Sequence, residues 1–204
     1  MKKLSIITIL LLFLVSINTV VFAEESIKPQ EAETGILQST PKPFSKLAIV
    51  PYINSTEETK GYIQEIIDSK YTEQYSSKNF QLIPLVEVQT ALNNAGYDVS
   101  NKELPDKDVL ASVAKKTNAD YVIAMEISQL ITTKHMSMFQ LKVVTKAKLH
   151  YKLYNIEQDK VISFQTTGIS ENKTVFGDVG YKDPITKALT QAMEEANVKI
   201  MNNL

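Results

Sequence analysis

Two histidines and no cysteine limit the chemistry open to this chain. His135 stands beside Met136 and two residues from Met138. Imidazole and thioether ligands in such a run suit Cu(I). With one histidine, two methionines and no thiol, the run reads as a hairpin tip, and no metal is expected. His150 falls among lysines on the wet side of a strand. Asp106, Asp108, Asp120 and Glu126 are the carboxylates that could pair for acid–base work. Asp106 and Asp108, however, open a helix, where the dipole favours acids. The sequence contains no G-x-S-x-G elbow, no phosphate-binding loop and no dinucleotide fingerprint. The expectation is therefore no catalytic residue, no cofactor and no enzyme; an enzyme of unknown class is the least favoured alternative. Lys142, Lys146, Lys148 and Lys152 form a stripe on one face of one strand. A solvated face that discourages aggregation is the preferred reading. The other reading is contact with an acidic partner, such as an anionic wall polymer or lipid headgroups, and on it these four are the candidate contact residues.

The opening residues point to export. Lys2 and Lys3 precede a nearly unbroken apolar run over 4–15, and Val21-Phe22-Ala23 offers a cleavage site before Glu24. A signal peptide over 1–23 is expected, with an uncleaved anchor as the alternative. Without a cysteine there is neither a lipidation site nor a disulfide. The expected location is thus the periplasm or the outside of the envelope, without a lipid anchor. Beyond the signal, 20 Lys face 23 Asp plus Glu, a net charge of −3, and Arg is absent. Arg supplies the two-point fork that grips phosphate and guanine, so nucleic acid is not an expected partner.

The positioning elements follow in order. Residues 24–45, with Pro29, Pro41 and Pro43, read as a disordered linker. A single domain is expected over 46–204. Its first strand, 46–52, has a continuous apolar centre and ends at Pro51. Ser55 as N-cap with Glu58 would open a helix presenting Ile63, Ile66, Ile67, Tyr71 and Tyr75, with Gly61 inside it. A short strand over 80–84 precedes a helix with Val88, Leu92 and Ala95 on one face and Gly96 at its end. The next helix starts near Pro105-Asp106 and closes at Asn118, which takes the left-handed cap. Residues 121–131 form the third strand. The fourth, 139–154, alternates cleanly, with Phe139, Leu141, Val143, Thr145, Ala147, Leu149, Tyr151 and Leu153 facing the core. A fifth strand over 161–170 and a polar loop over 171–181 lead to the last helix. That helix is capped by Asp183, with Pro184 in its first turn, and is lined by Ile185, Ala188, Leu189, Ala192, Ala196 and Ile200. The expected fold is a layered α/β domain with a mixed five-stranded sheet flanked by helices.

Three stretches carry a family resemblance: the strand Lys46-Leu47-Ala48-Ile49-Val50-Pro51-Tyr52, the strand–helix from Phe80 to Leu92, and Ala114 to Ile127 with its Ala119-Asp120-Tyr121-Val122 strand start. Together they resemble the curli-secretion (CsgG-type) and TolB amino-terminal-domain group of bacterial envelope proteins. The chain departs from that pattern at Asn118 and Met125, where the family often has Gly, and in lacking the lipidated cysteine of many members. The resemblance implies an anticodon-binding-like or TolB amino-terminal-like fold. It also implies a non-catalytic module that binds envelope proteins and assists assembly or secretion, and that can form homo-oligomers. A subunit of an oligomeric CsgG-type secretion channel is the alternative.

Overall fold

The computed structural model describes residues 44–76, 80–175 and 180–204. The expected signal over 1–23, nearly all of the linker and Gly177 lie outside the described residues. In chain order the elements are β1 (Ser45–Ile49), β2 (Ile53–Asn54), α1 (Tyr62–Tyr75), β3 (Phe80–Leu82), α2 (Leu85–Asn94), a 3-10 turn (Val99–Asn101), α3 (Lys107–Thr117), β4 (Tyr121–Met136), β5 (Leu141–Asn155), β6 (Lys160–Thr174) and α4 (Lys182–Met201). The sheet runs β3-β1-β4-β5-β6, and β2 pairs with β4 in line with β1. The β3, β1 and β4 strands are parallel; β4, β5 and β6 form an antiparallel meander. This is the mixed, layered α/β architecture expected, but the sheet has six strands where five were expected, because the chain after Pro51 makes the short extra strand β2 on β4.

A core lies on each side of the sheet. On one side Leu47, Ile123, Met125, Ile127, Leu149 and Tyr151 pack against α1 and α4. On the other, Ala48, Val50, Val122, Ala124 and Tyr154 pack against α2 and α3. The double cover explains why β4 begins apolar at successive positions. Ile123, Ile127, Val122 and Ala124 are fully buried, whereas Tyr121 is half-buried and its hydroxyl donates to the Leu204 carbonyl at 3.2 Å. At Gly168, α4 lies so close to β6 that a Cβ would sit 1.8 Å from the Ala188 carbonyl oxygen.

The strand start at Ala119-Asp120 is built by caps and clamps. Asp106 caps α3 by accepting from the Val109 amide at 2.9 Å. Asn118 ends the helix in the left-handed conformation, φ 52°. The Ala119 amide then donates to Ala114, and the Asp120 amide donates to the Lys46 carbonyl at 2.9 Å. The Asp120 carboxylate accepts in return from the Lys46 amide at 2.7 Å. One aspartate thus pins β4 to the start of β1.

Several sequence expectations are corrected. Helix α1 starts at Tyr62, not after Ser55. Asn54 instead closes a side-chain turn: its Oδ1 accepts from the Thr56 amide at 3.0 Å and its Nδ2 donates to the Glu58 carbonyl at 2.6 Å. The Ser55 hydroxyl donates to Lys102, so no capping box forms, and Gly61 precedes the helix. Tyr181, not Asp183, is the N-cap of α4; Asp183 sits in the first turn and accepts from Asn172 and Lys187. Ser45 belongs to β1 and not to the linker. The β4 and β6 strands run past their expected ends, to Met136 and Thr174, because β5 pairs with both along its whole length. Phe139 lies in the turn outside β5 and is exposed. Tyr154, which the alternation sets on the lysine face opposite Leu153, is buried by the layer of α2 and α3.

Candidate functional site

The β4–β5–β6 meander has one face covered by α1 and α4. Its other face is covered only at one end. Register sets that other face out in rows. Moving away from the helices, they run Val122–Tyr154–Val161, Ala124–Lys152–Ser163, Glu126–His150–Gln165, Gln129–Lys148–Thr167, Ile131–Lys146–Ile169, Thr133–Val144–Glu171 and His135–Lys142–Lys173. The irregularity in β4 between Ile127 and Gln129 keeps Gln129 and the odd positions after it on this face.

The four lysines of the stripe separate here. Lys152 is half-buried; its Nζ donates to the carbonyls of Leu104 and Pro105 at 3.2 and 2.9 Å, tying the segment before α3 to the sheet. Lys142 pairs with Glu171 at 2.6 Å, and Lys173 reaches the same carboxylate at 2.7 Å. These two cations hold the Glu171 carboxyl down to about 2. Lys146 is exposed and Lys148 half-buried on the open part of the face, with exposed Ile131 and Ile169 flanking Lys146 in its row.

A second arrangement on this face was not read from the sequence. His150 Nε2 lies 2.8 Å from Ser163 Oγ, and His150 Nδ1 lies 3.6 Å from Glu126. The order is that of nucleophile, base and orienting acid. The histidine–glutamate separation is beyond hydrogen-bond length, and Ser163 is exposed on an open sheet surface. Only cross-strand register brings residues 126, 150 and 163 together, so no local spacing signals them. Asp106, Asp108 and Asp120, by contrast, serve the helix and strand starts described above. His135 is exposed in the last row, opposite Lys142, and the carboxylates and histidines of the described residues form no group fit for a metal.

A cleft of about 370 Å³ opens at the carboxyl ends of β1 and β3. The chain leaves β1 toward α1 on one side of the sheet and leaves β3 toward α2 on the other. Open α/β sheets bind ligands where adjacent connections part in this way. Pro51, Ile67, Leu82 and Leu85 supply apolar walls, and Gln64, Asp68 and Gln89 supply polar groups. Gln64 donates to both oxygens of Asp68 at 2.8 Å. Burial pushes the Tyr52 phenol up, and the Asp68 charge adds to the shift. The cleft offers space and polarity without an assembled nucleophile.

The sequence matches no protein-family model and no curated protein. The structure is similar to the hypothetical protein CT253 from Chlamydia trachomatis, with a TM-score of 0.46 and 14% identity over 79% of this chain and 95% of that one. It is similar to the lipoprotein GNA1162 from Neisseria meningitidis, with a TM-score of 0.45 and 12% identity over 78% of this chain and 99% of that one. It is also similar to LpoB of E. coli, with a TM-score of 0.41 and 13% identity over 77% of this chain and 84% of that one.

Proposed function

We propose that this chain is an exported, non-enzymatic module of the cell envelope that binds another protein through the open face of β4, β5 and β6. The observation that carries the reading is the row Ile131–Lys146–Ile169. Two exposed isoleucines flank an exposed lysine on the part of this sheet face that lies beyond the cover of α2 and α3. Lys142 and Lys148 extend the positive character to either side of that row. Exposed apolar side chains grouped on one surface mark interaction sites, and the lysines orient an acidic partner. The envelope setting rests on the export signal read at 1–23. A polyanion such as a wall polymer is the other ligand these lysines suit.

The channel alternative is less well supported. A membrane-spanning β-strand needs about 9–11 residues. The inner face of β5 is already buried from Val143 onward, so little of the β4–β5 hairpin stands clear of helix.

A photocrosslinking side chain at Lys146, expressed in the native host, tests the proposal. The expected result is a discrete adduct with an envelope protein, absent from a probe at Val198 on α4 and weakened by Lys148→Glu. Identical patterns from both positions would sink the reading. An adduct of twice the chain mass would make a second copy the partner, and light scattering would then give the oligomer size.

A further inference from the structure

The tip of the β4–β5 hairpin breaks the usual chemistry of tight turns. The Ser137 amide donates to the Gln140 carbonyl at 2.9 Å, and the Ser137 hydroxyl donates to the same oxygen at 3.1 Å. These bonds close the loop and leave Met138 and Phe139 at its outermost positions. Short hairpin loops favour Asn, Asp and Gly, because those residues tolerate turn geometry and stay hydrated. Here Met138 is 93% exposed, Phe139 78% and Met136, the last residue of β4, 85%. Val175 adds a fourth exposed apolar side chain at the same end of the sheet, next to Thr174, which pairs with Leu141. Local rules are broken where function requires it.

A collar of positive charge stands immediately behind this tip. The last row holds His135, Lys142 and Lys173, and Lys134 precedes it on β4. Lys134 lies 4.3 Å from the centre of the Tyr181 ring, so an aromatic side chain also belongs to the collar. One carboxylate, Glu171, lies in the last two rows, and both Lys142 and Lys173 bind it. On the opposite face, at the start of α4, the Asp183 carboxylate is paired with Lys187 at 2.9 Å. Among the described residues the collar is therefore cationic overall.

We propose that this hairpin tip docks the protein on an anionic lipid bilayer. From the Lys142 row to Phe139 is three residues, roughly 10 Å at about 3.3 Å per residue. Interfacial elements bury their apolar face about 5–10 Å deep, at the boundary between headgroups and acyl chains. With Met138 and Phe139 at that depth, Lys142, Lys173 and Lys134 reach the phosphate level, where long lysine side chains extend their ammonium groups toward charge and water. A convex apolar point ringed by cations fits a lipid surface better than a folded protein partner, which would have to supply a matching acidic-rimmed pit. The tip enters one leaflet and does not cross it. This docking is independent of the protein-binding reading of the Ile131–Lys146–Ile169 row, and either can fail alone.

The chain has no tryptophan, so Phe139→Trp in the full chain reports on the tip and on no other site. The expected result with phosphatidylglycerol-containing vesicles is a blue-shifted emission, quenched by lipids brominated on the upper acyl chain. An indole placed by Val198→Trp on α4 should stay unshifted and unquenched. Vesicles of phosphatidylcholine alone, or Lys142→Gln together with Lys173→Gln, should weaken the partitioning of the Phe139→Trp protein at least tenfold. The change Met138→Ser should also weaken it while leaving the melting temperature in place. An unshifted tip indole with anionic vesicles would overturn the proposal. So would equal partitioning into neutral vesicles, or release of a trapped dye, which would indicate a pore. A tip indole shifted by a purified envelope protein but not by vesicles would assign the tip to a protein partner instead.

Discussion

Replacing Gly168 by alanine tests how tightly α4 is seated on the sheet. Gly168 lies in β6 opposite Ala147, on the face that α4 covers. A Cβ added there meets the Ala188 carbonyl oxygen at 1.8 Å, its carbonyl carbon at 2.8 Å and the Ala192 amide nitrogen at 2.9 Å, against about 3.4 Å for ordinary contact. All three atoms are backbone, so no rotamer change relieves the clash. The helix must retreat by well over an ångström, which loosens Ala188, Leu189, Ala192, Met193 and Ala196, all buried. Overpacking a core costs about 1–3 kcal/mol and sometimes more. A backbone clash without an escape route belongs at the upper end, so about 3 kcal/mol is expected. At roughly 2–4 °C per kcal/mol for a domain of this size, the melting temperature should fall by about 6–12 °C. Urea unfolding followed by circular dichroism measures the loss as a lower midpoint at unchanged slope. Gly61→Ala is the control, because no atom lies within 4 Å of its Cβ and its φ is −56°. That change should stay within about 0.5 kcal/mol of the parent. Adding Ala188→Gly should not rescue Gly168→Ala, since it removes a methyl and leaves the clashing carbonyl. Parental stability in Gly168→Ala, or full rescue by Ala188→Gly, would refute the packing argument.

Three other predictions rest on the same structure. Ile123→Ala empties a fully buried site in β4 and should cost about 2–5 kcal/mol, a large share of the roughly 5–15 kcal/mol a domain possesses. Asp120→Asn keeps an acceptor for the exposed Lys46 amide and should cost much less; an envelope activity lost at unchanged melting temperature would make Asp120 a functional residue after all. Glu171 titrates at about 2 in the fold against an ordinary value of 4.5. Its folded value is depressed, so its contribution to stability is present above pH 4.5 and disappears as pH falls through 2. Carbon-13 titration of the Glu171 carboxyl should show the low value, and Lys142→Met should raise it; an unmoved titration would rule out the Lys142 pairing as its cause.

Residues that contact their neighbours along the chain were legible in the sequence. The left-handed cap at Asn118, the helix start near Asp106, the alternation through β5 and the apolar face of α4 depend on backbone geometry and a period of two or 3.6 residues. These features identified a mixed, layered α/β domain. Where two local rules competed, pattern alone failed. Ser55 and Glu58 spell a capping box, yet Asn54 takes the local hydrogen bonds and Lys102, far along the chain, takes the Ser55 hydroxyl.

Only the tertiary structure decided what the sheet face presents. Four lysines at even positions of one strand are equivalent in sequence. Helix cover divides them, holding Lys152 against the carbonyls before α3 and leaving Lys146 open. Glu126, His150 and Ser163 meet because antiparallel register aligns three distant segments. The need for glycine at 168 arises from the approach of α4, whose path depends on packing against both β5 and β6. Periodicity states which way a side chain points along its own strand; what stands opposite depends on pairings whose partners lie tens of residues away, and only the folded chain supplies them.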